Sequence, residues 1–169
     1  MIPNNVQRYL AQHQVAYQVL HHEPQGTSQE TAQVAHVSGK RFAKVVLLGT
    51  SAPPDGATHG FVLAVLPANE QVDLGCLRAA LGKEVRLGTE DELARLFPGT
   101  EPGAAPPFGS LADVPVVADA CLASRGSIVF HGGTHTDLIE MPWAEFARLT
   151  GAQIIDYGRP ADWTRRATH

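Results

Sequence analysis

Polar and apolar positions alternate at helical spacing from the start of the chain. Val6, Tyr9, Leu10 and His13 fall on one face and predict a helix from Asn4 to about His13. A short strand, Val15 to Leu20, is expected next. Thr27 and Glu30 form a T-x-x-E capping box that opens a second helix, with Gly39 placed to close it. Two continuous apolar runs follow, Val45 to Leu48 and Phe61 to Leu66, around a loop rich in proline and glycine, and they predict adjacent buried strands. Asp73 caps a helix carrying Leu74, Leu77 and Leu81, with Gly82 at its end. Thr89 and Glu92 make another capping box, on a helix with Leu93, Leu96 and Phe97 that Pro98 stops.

The regular pattern then breaks. Residues 98–110, PGTEPGAAPPFGS, hold four prolines and three glycines and cannot form regular structure, yet apolar elements flank them on both sides. Strands are expected at Val114–Ala118, Ser127–His131 and Asp137–Met141. A helix with Trp143, Phe146 and Ala147 and a strand at Gln153–Tyr157 complete the order, and the polar tail from Gly158 is expected to be loose. Strands and helices intermix without a βαβ rhythm, and no GxGxxG joins a strand to a helix. This predicts an α/β mixed sheet wrapped by helices rather than a doubly wound fold.

Composition narrows the picture. A chain of 169 residues suits one domain, placed at residues 1–158 with a tail at 159–169. No apolar run approaches the ~20 residues that cross a bilayer, and MIPNNVQRYL lacks a basic segment followed by an apolar one. A membrane role is therefore not expected. Cys76 and Cys121 are far apart and in no CxxC pair, which fits a reducing cytoplasm and argues against a disulfide scaffold or cysteine-ligated zinc. A net charge of −4 leaves room for a local basic patch only. If the protein binds nucleic acid, it should grip a short end rather than a long duplex.

Three segments could carry chemistry. Lys44, in Gly39-Lys40-Arg41-Phe42-Ala43-Lys44, stands at the mouth of an apolar strand. It is either a solvated strand-end lysine or an ammonium aimed at a carbonyl or phosphate oxygen. The loop Gly103 to Gly109 is either a rigid connection or an arch whose backbone N–H and C=O groups face a ligand. In His131-Gly132-Gly133-Thr134-His135-Thr136-Asp137 the His-x-x-x-His spacing invites a metal reading. Two glycines make a strand–turn–strand the better expectation, in which the histidines need not converge. That leaves a plain β-turn or a substrate-contacting His135. Nucleophile schemes fare poorly: no GxSxG occurs, and Cys121 and Cys76 sit in apolar settings. The neighbours His21 and His22 should point to opposite sides of an extended chain.

Taken in order, these signals resemble the YbaK and prolyl-tRNA-synthetase-associated domain family, from about Val6 to Asp156. The resemblance runs through Thr31-Ala32-Gln33-Val34-Ala35, then Gly39 to Lys44 entering the Val45–Leu48 strand, Leu63-Ala64-Val65, Val72-Asp73-Leu74 and Ala80-Leu81-Gly82. The most specific piece is G-x-x-x-P-F-G at Gly103, Pro107, Phe108 and Gly109, followed by Pro115 to Asp119 and Gly133 to Asp137.

The resemblance implies a mixed sheet curved into a barrel-like shape with helices outside, and a trans-editing aminoacyl-tRNA deacylase that uses no cofactor and no metal. The substrate would be alanine or cysteine on proline tRNA, with water or a group of the substrate attacking the ester. Partners would be the acceptor end of mischarged tRNA and, in some settings, an aminoacyl-tRNA synthetase. It also implies catalytic roles for Lys44, Gly103 and His135. Substrate contacts would come from Ala104, Ala105, Pro106, Pro107, Phe108, Gly109 and Thr134, and tRNA contacts from Lys40 and Arg41. Ala104-Ala105-Pro106 lacks the hydroxyl residue that some members carry before the loop proline.

An aminoacyl ester is already activated, so its hydrolysis needs positioning and oxyanion stabilisation more than a strong nucleophile. A noncatalytic module that holds aminoacyl-tRNA or docks on a synthetase is the alternative, and a hydrolase of other small acyl esters is a third reading.

Overall fold

In a computed structural model, residues 1–22, 41–50, 60–160 and 162 are described. The Thr27/Glu30 capping box, the Thr31–Ala35 segment and Lys40 lie outside them.

Helix α1 (Asn4–Gln12) buries Val6, Tyr9 and Leu10, the positions its spacing marks. Beyond it Gln14 takes a positive φ of 52° and the Val15 N–H turns back to Leu10 O. Strand β1 therefore starts only at Gln18 and runs to His21, three residues later than the apolar pattern suggests.

The two apolar runs form β2 (Ala43–Thr50) and β3 (Phe61–Pro67), paired antiparallel with Val45 opposite Val65. Both faces are covered, which is why neither strand alternates with polar residues. Leu47, Leu63 and Val65 enter one core with Phe108 and Phe130, while Leu48, Val62, Ala64 and Leu66 enter another with Leu77 and Tyr157. Helix α2 (Leu74–Leu81) is capped by the Asp73 carboxylate, which accepts from Cys76 N, and ends on Gly82 in the left-handed region. Helix α3 (Glu90–Leu96) carries the complete Thr89/Glu92 capping box.

Three-residue strands flank these elements: β4 (Glu70–Val72) and β5 (Val85–Leu87). Further on come β6 (Val116–Asp119), the single-turn α4 (Ala120–Ala123), β7 (Ser127–His131), β8 (Asp137–Pro142), α5 (Trp143–Thr150) and β9 (Gln153–Ile155). The segment expected to begin a loose tail starts instead as β10 (Gly158–Pro160), paired with β4.

A five-stranded sheet runs β5-β2-β3-β6-β9, antiparallel at β5-β2-β3 and parallel at β3-β6-β9; a three-stranded antiparallel sheet runs β1-β8-β7. The two meet at Phe42, bridged to Val129, with the Val129 N–H donating to Arg41 O. The result is a mixed α/β single domain with helices outside the sheets. Among the described residues the sheets approach a barrel without closing. No described helix is long and apolar enough to cross a membrane.

Candidate active site

The proline- and glycine-rich loop is rigid for local reasons. Glu101-Pro102-Gly103-Ala104 is a turn closed by Ala104 N donating to Glu101 O at 3.0 Å, with proline second and Gly103 third at φ 80°. That is the type II pattern, which wants glycine at its third position. The following residues turn inward. Ala104, Ala105 and Phe108 are buried, and Phe108 packs on Tyr9 and Phe130 with ring centroids at 5.1 and 5.3 Å. Pro106 and Pro107 are buried as well, and a side chain on Gly109 would strike Val114 O. These residues anchor the arch in the core, and what they can offer a ligand is backbone.

The turn between β7 and β8 folds onto this arch. The Glu101 N–H donates to Gly133 O at 2.8 Å, and the His135 N–H donates to Glu101 Oε2 at 2.7 Å. The His135 ring bonds through Nε2 to Pro102 O. The ring lies beside Gly103, where a Cβ would make ordinary van der Waals contact at 3.5 Å from His135 Cε1. Two residues singled out separately in the sequence, Gly103 and His135, are thus in contact.

The turn itself is held by Asp137. Its Oδ2 accepts from Thr134 Oγ1 at 2.8 Å, its N–H donates back to that oxygen, and it pairs with the Met1 ammonium and His21. The Thr134 hydroxyl is therefore committed to the turn.

The segment forms the expected strand–turn–strand, and within it His131 and His135 do converge. Their rings meet edge-on at 5.7 Å, with His22 at 6.2 Å and Phe42 at 5.6 Å on other sides of His131. The cause is the tight turn: His131 pairs with Leu138, and Gly132 N donates to Asp137 O, so residues 133–136 curl back over the strand end. Burial, reinforced by the His135 and His22 imidazoles, pushes the His131 pKa down to about 4. At neutral pH the cluster centre is an uncharged imidazole. His21 turns to Asp137 and His22 to His131, so the two do part as an extended chain requires. Among the described residues no group of three His, Cys, Asp or Glu side chains is arranged to hold a metal ion.

Lys44 is the second residue of β2, at the start of the strand and opposite Leu66. Within β2 it shares a face with Val46 and Leu48, which pack toward Leu77 and Tyr157. Burial lowers its pKa below the ordinary 10.5, and Glu70 partly offsets this. Its ammonium has already shed part of its water. Arg41, half-buried, is engaged by Glu140 at 3.2 Å and Ser127 Oγ at 3.0 Å. A cavity of about 470 Å³ lies elsewhere, lined by residues such as Leu81, Lys83, Pro115 and Gly151. None of Lys44, Gly103 and His135 lines it.

The aminoacyl-tRNA editing domain model matches residues 22–149, a span that contains Lys44, Gly103 and His135. The chain belongs to this family. An Escherichia coli K12 relative, the multifunctional Ser/Thr-tRNA deacylase ProXp-y, is 26% identical over 154 residues, 90% of each chain. The crystal structure of a hypothetical protein superposes with a TM-score of 0.80 at 24% identity, covering 92% of this chain and all of the other. That of a proposed trans-editing enzyme for prolyl-tRNA synthetase gives 0.77 at 22% identity, covering 94% and 99%. As a member of the editing-domain family, the protein is an aminoacyl-tRNA hydrolase.

Glu101 and Phe42 escaped the sequence reading as site neighbours, whereas His131 and His22 were noticed there without being placed beside each other. Glu101 carries a faint signal, as the residue that opens a Pro-Gly turn. Phe42 meets His131 through the bridge of the start of β2 to β7, and His22 reaches it through the pairing of β1 with β8.

Proposed function

We propose that the protein clears small amino acids from mischarged tRNA in trans. Alanine and cysteine on proline tRNA are the first candidates, and serine and threonine join them by similarity to the E. coli relative. The observation that carries this reading is the contact of the Gly103 turn with His135, clamped by Glu101, inside the segment that matches the editing domain.

In this reading backbone groups of Gly103 to Pro107 hold the aminoacyl ester, and Phe108 and Gly109 seat that backbone on the core. Thr134 keeps its turn in place. Lys44 places a partly desolvated ammonium against a phosphate or ester oxygen at the tRNA 3′ end, where a charge-assisted bond is stronger than in water. Lys40 and Arg41 extend the contact to the backbone, Arg41 in competition with its Glu140 partner. Water, positioned by the site or by a group of the substrate, adds to the ester carbonyl carbon. The bond to the ribose oxygen then breaks, releasing the free amino acid and a tRNA with an unesterified 3′ end. No metal takes part. A pocket of this kind rejects large side chains by clash and separates neighbours one methylene apart by only ~1–3 kcal/mol.

Chelation tests the metal-free mechanism. Deacylation should persist in EDTA, and loss of activity restored by zinc would overturn it. A protein that binds mischarged tRNA without shortening its lifetime would be a holding module instead.

A further inference from the structure

We infer that Glu101 is a positioning residue which, with the Pro102 carbonyl, fixes the tautomer and orientation of His135 so that Nδ1 is the nitrogen offered to the substrate. This rests on the editing reading only for what Nδ1 meets; the positioning stands on geometry. The Pro102 oxygen is a carbonyl and can only accept, so His135 Nε2 carries the hydrogen in their bond. In a neutral ring Nδ1 is then the acceptor, able to take a hydrogen bond from the substrate or from its attacking water. The residue is held at backbone as well as ring, because the His135 main-chain N–H is tied to Glu101 Oε2 while Glu101 N is tied to Gly133 O. Three hydrogen bonds thus interlock residues 101–102 with 133–135. His131 closes another side edge-on, and Gly103 lies beside the ring. Glu101 is exposed, and its carboxylate contacts His135 through the backbone; it acts through His135 rather than on the ester.

Two measurements decide the matter. Two-bond ¹H–¹⁵N spectra of the imidazoles, with His135 assigned by its loss in His135→Ala, should show Nε2–H and unprotonated Nδ1 in the wild-type protein. The opposite tautomer, or an even mixture, overturns the inference. In deacylation assays Glu101→Ala should lower kcat by about 10–10²-fold with KM little changed, the loss typical of a misplaced catalytic group. Glu101→Gln keeps an oxygen for the His135 N–H and should recover most of the rate. Glu101→Ala/His135→Ala should be no slower than His135→Ala alone. If Glu101→Gln falls as far as Glu101→Ala, the charge itself matters, as a counter-ion of the substrate's α-ammonium, and the positioning role is overturned. Should the wild-type protein hydrolyse no mischarged tRNA, the functional reading falls, and the tautomer spectrum decides the inference by itself.

Discussion

At Lys44 the strand and the chemistry ask for different residues. The strand buries its neighbours Ala43, Leu47 and Leu48, and burial already lowers the lysine's pKa. Lys44→Ala should therefore cost the fold less than ~1 kcal/mol. Deacylation should fall by ~10²–10³-fold, as when one charged or polar donor leaves a reacting site. A wild-type rate would remove Lys44 from the site. His135→Ala should slow turnover or relax substrate choice. His131→Ala should do less, because its ring lies behind His135; equal and severe losses in turnover assays would reverse that order. Lys44, Gly103 and His135 stand out as candidates in the sequence because each breaks a local rule: a charge on an apolar strand, a glycine in a proline-rich loop, a histidine in a glycine turn. Glu101 and His22 break none. Glu101 is placed by a loop-to-turn contact 34 residues apart in sequence, and His22 by strand pairing with the distant β7–β8 turn, which no local pattern encodes.

Elements with strong local signals formed where expected. The apolar runs became β2 and β3, and the Thr89/Glu92 box opened α3. The strands β4, β5 and β10 were not legible: three residues are too few for a period, and each exists because a neighbour offers an edge. At this scale the Pro102-Gly103 turn is the sensitive point. Gly103→Val forces a β-branched residue to φ 80° and pushes a Cβ toward His135. The strain should cost about 1–3 kcal/mol, leaving a folded protein with crippled turnover. Normal kinetics in a folded Gly103→Val variant would show that the loop only connects.

For the molecule as a whole, the buried His131 couples the site to stability. An unfolded histidine titrates near 6.5 and the folded one near 4. As pH falls between those values the unfolded chain takes up a proton that the folded chain refuses, so stability declines through that window and is level above it. The full shift corresponds to about 3 kcal/mol. Urea denaturation at neutral pH and at about pH 5 should show the loss in the wild type and a smaller one in His131→Phe; equal slopes would mean that other groups set it. The overall charge of −4 suits a protein that holds one end of its nucleic acid, and Lys40→Ala and Arg41→Ala should weaken tRNA binding mildly and in a salt-dependent way. The most direct test of the editing reading is a deacylation panel of tRNAs mischarged with alanine, cysteine, serine, threonine and a large amino acid, run with wild type and Lys44→Ala. Editing predicts rapid loss of one or more small amino acids, none of the large one, and little turnover by the variant. Wild-type rates no faster than spontaneous hydrolysis, or equal rates in the two proteins, would contradict it.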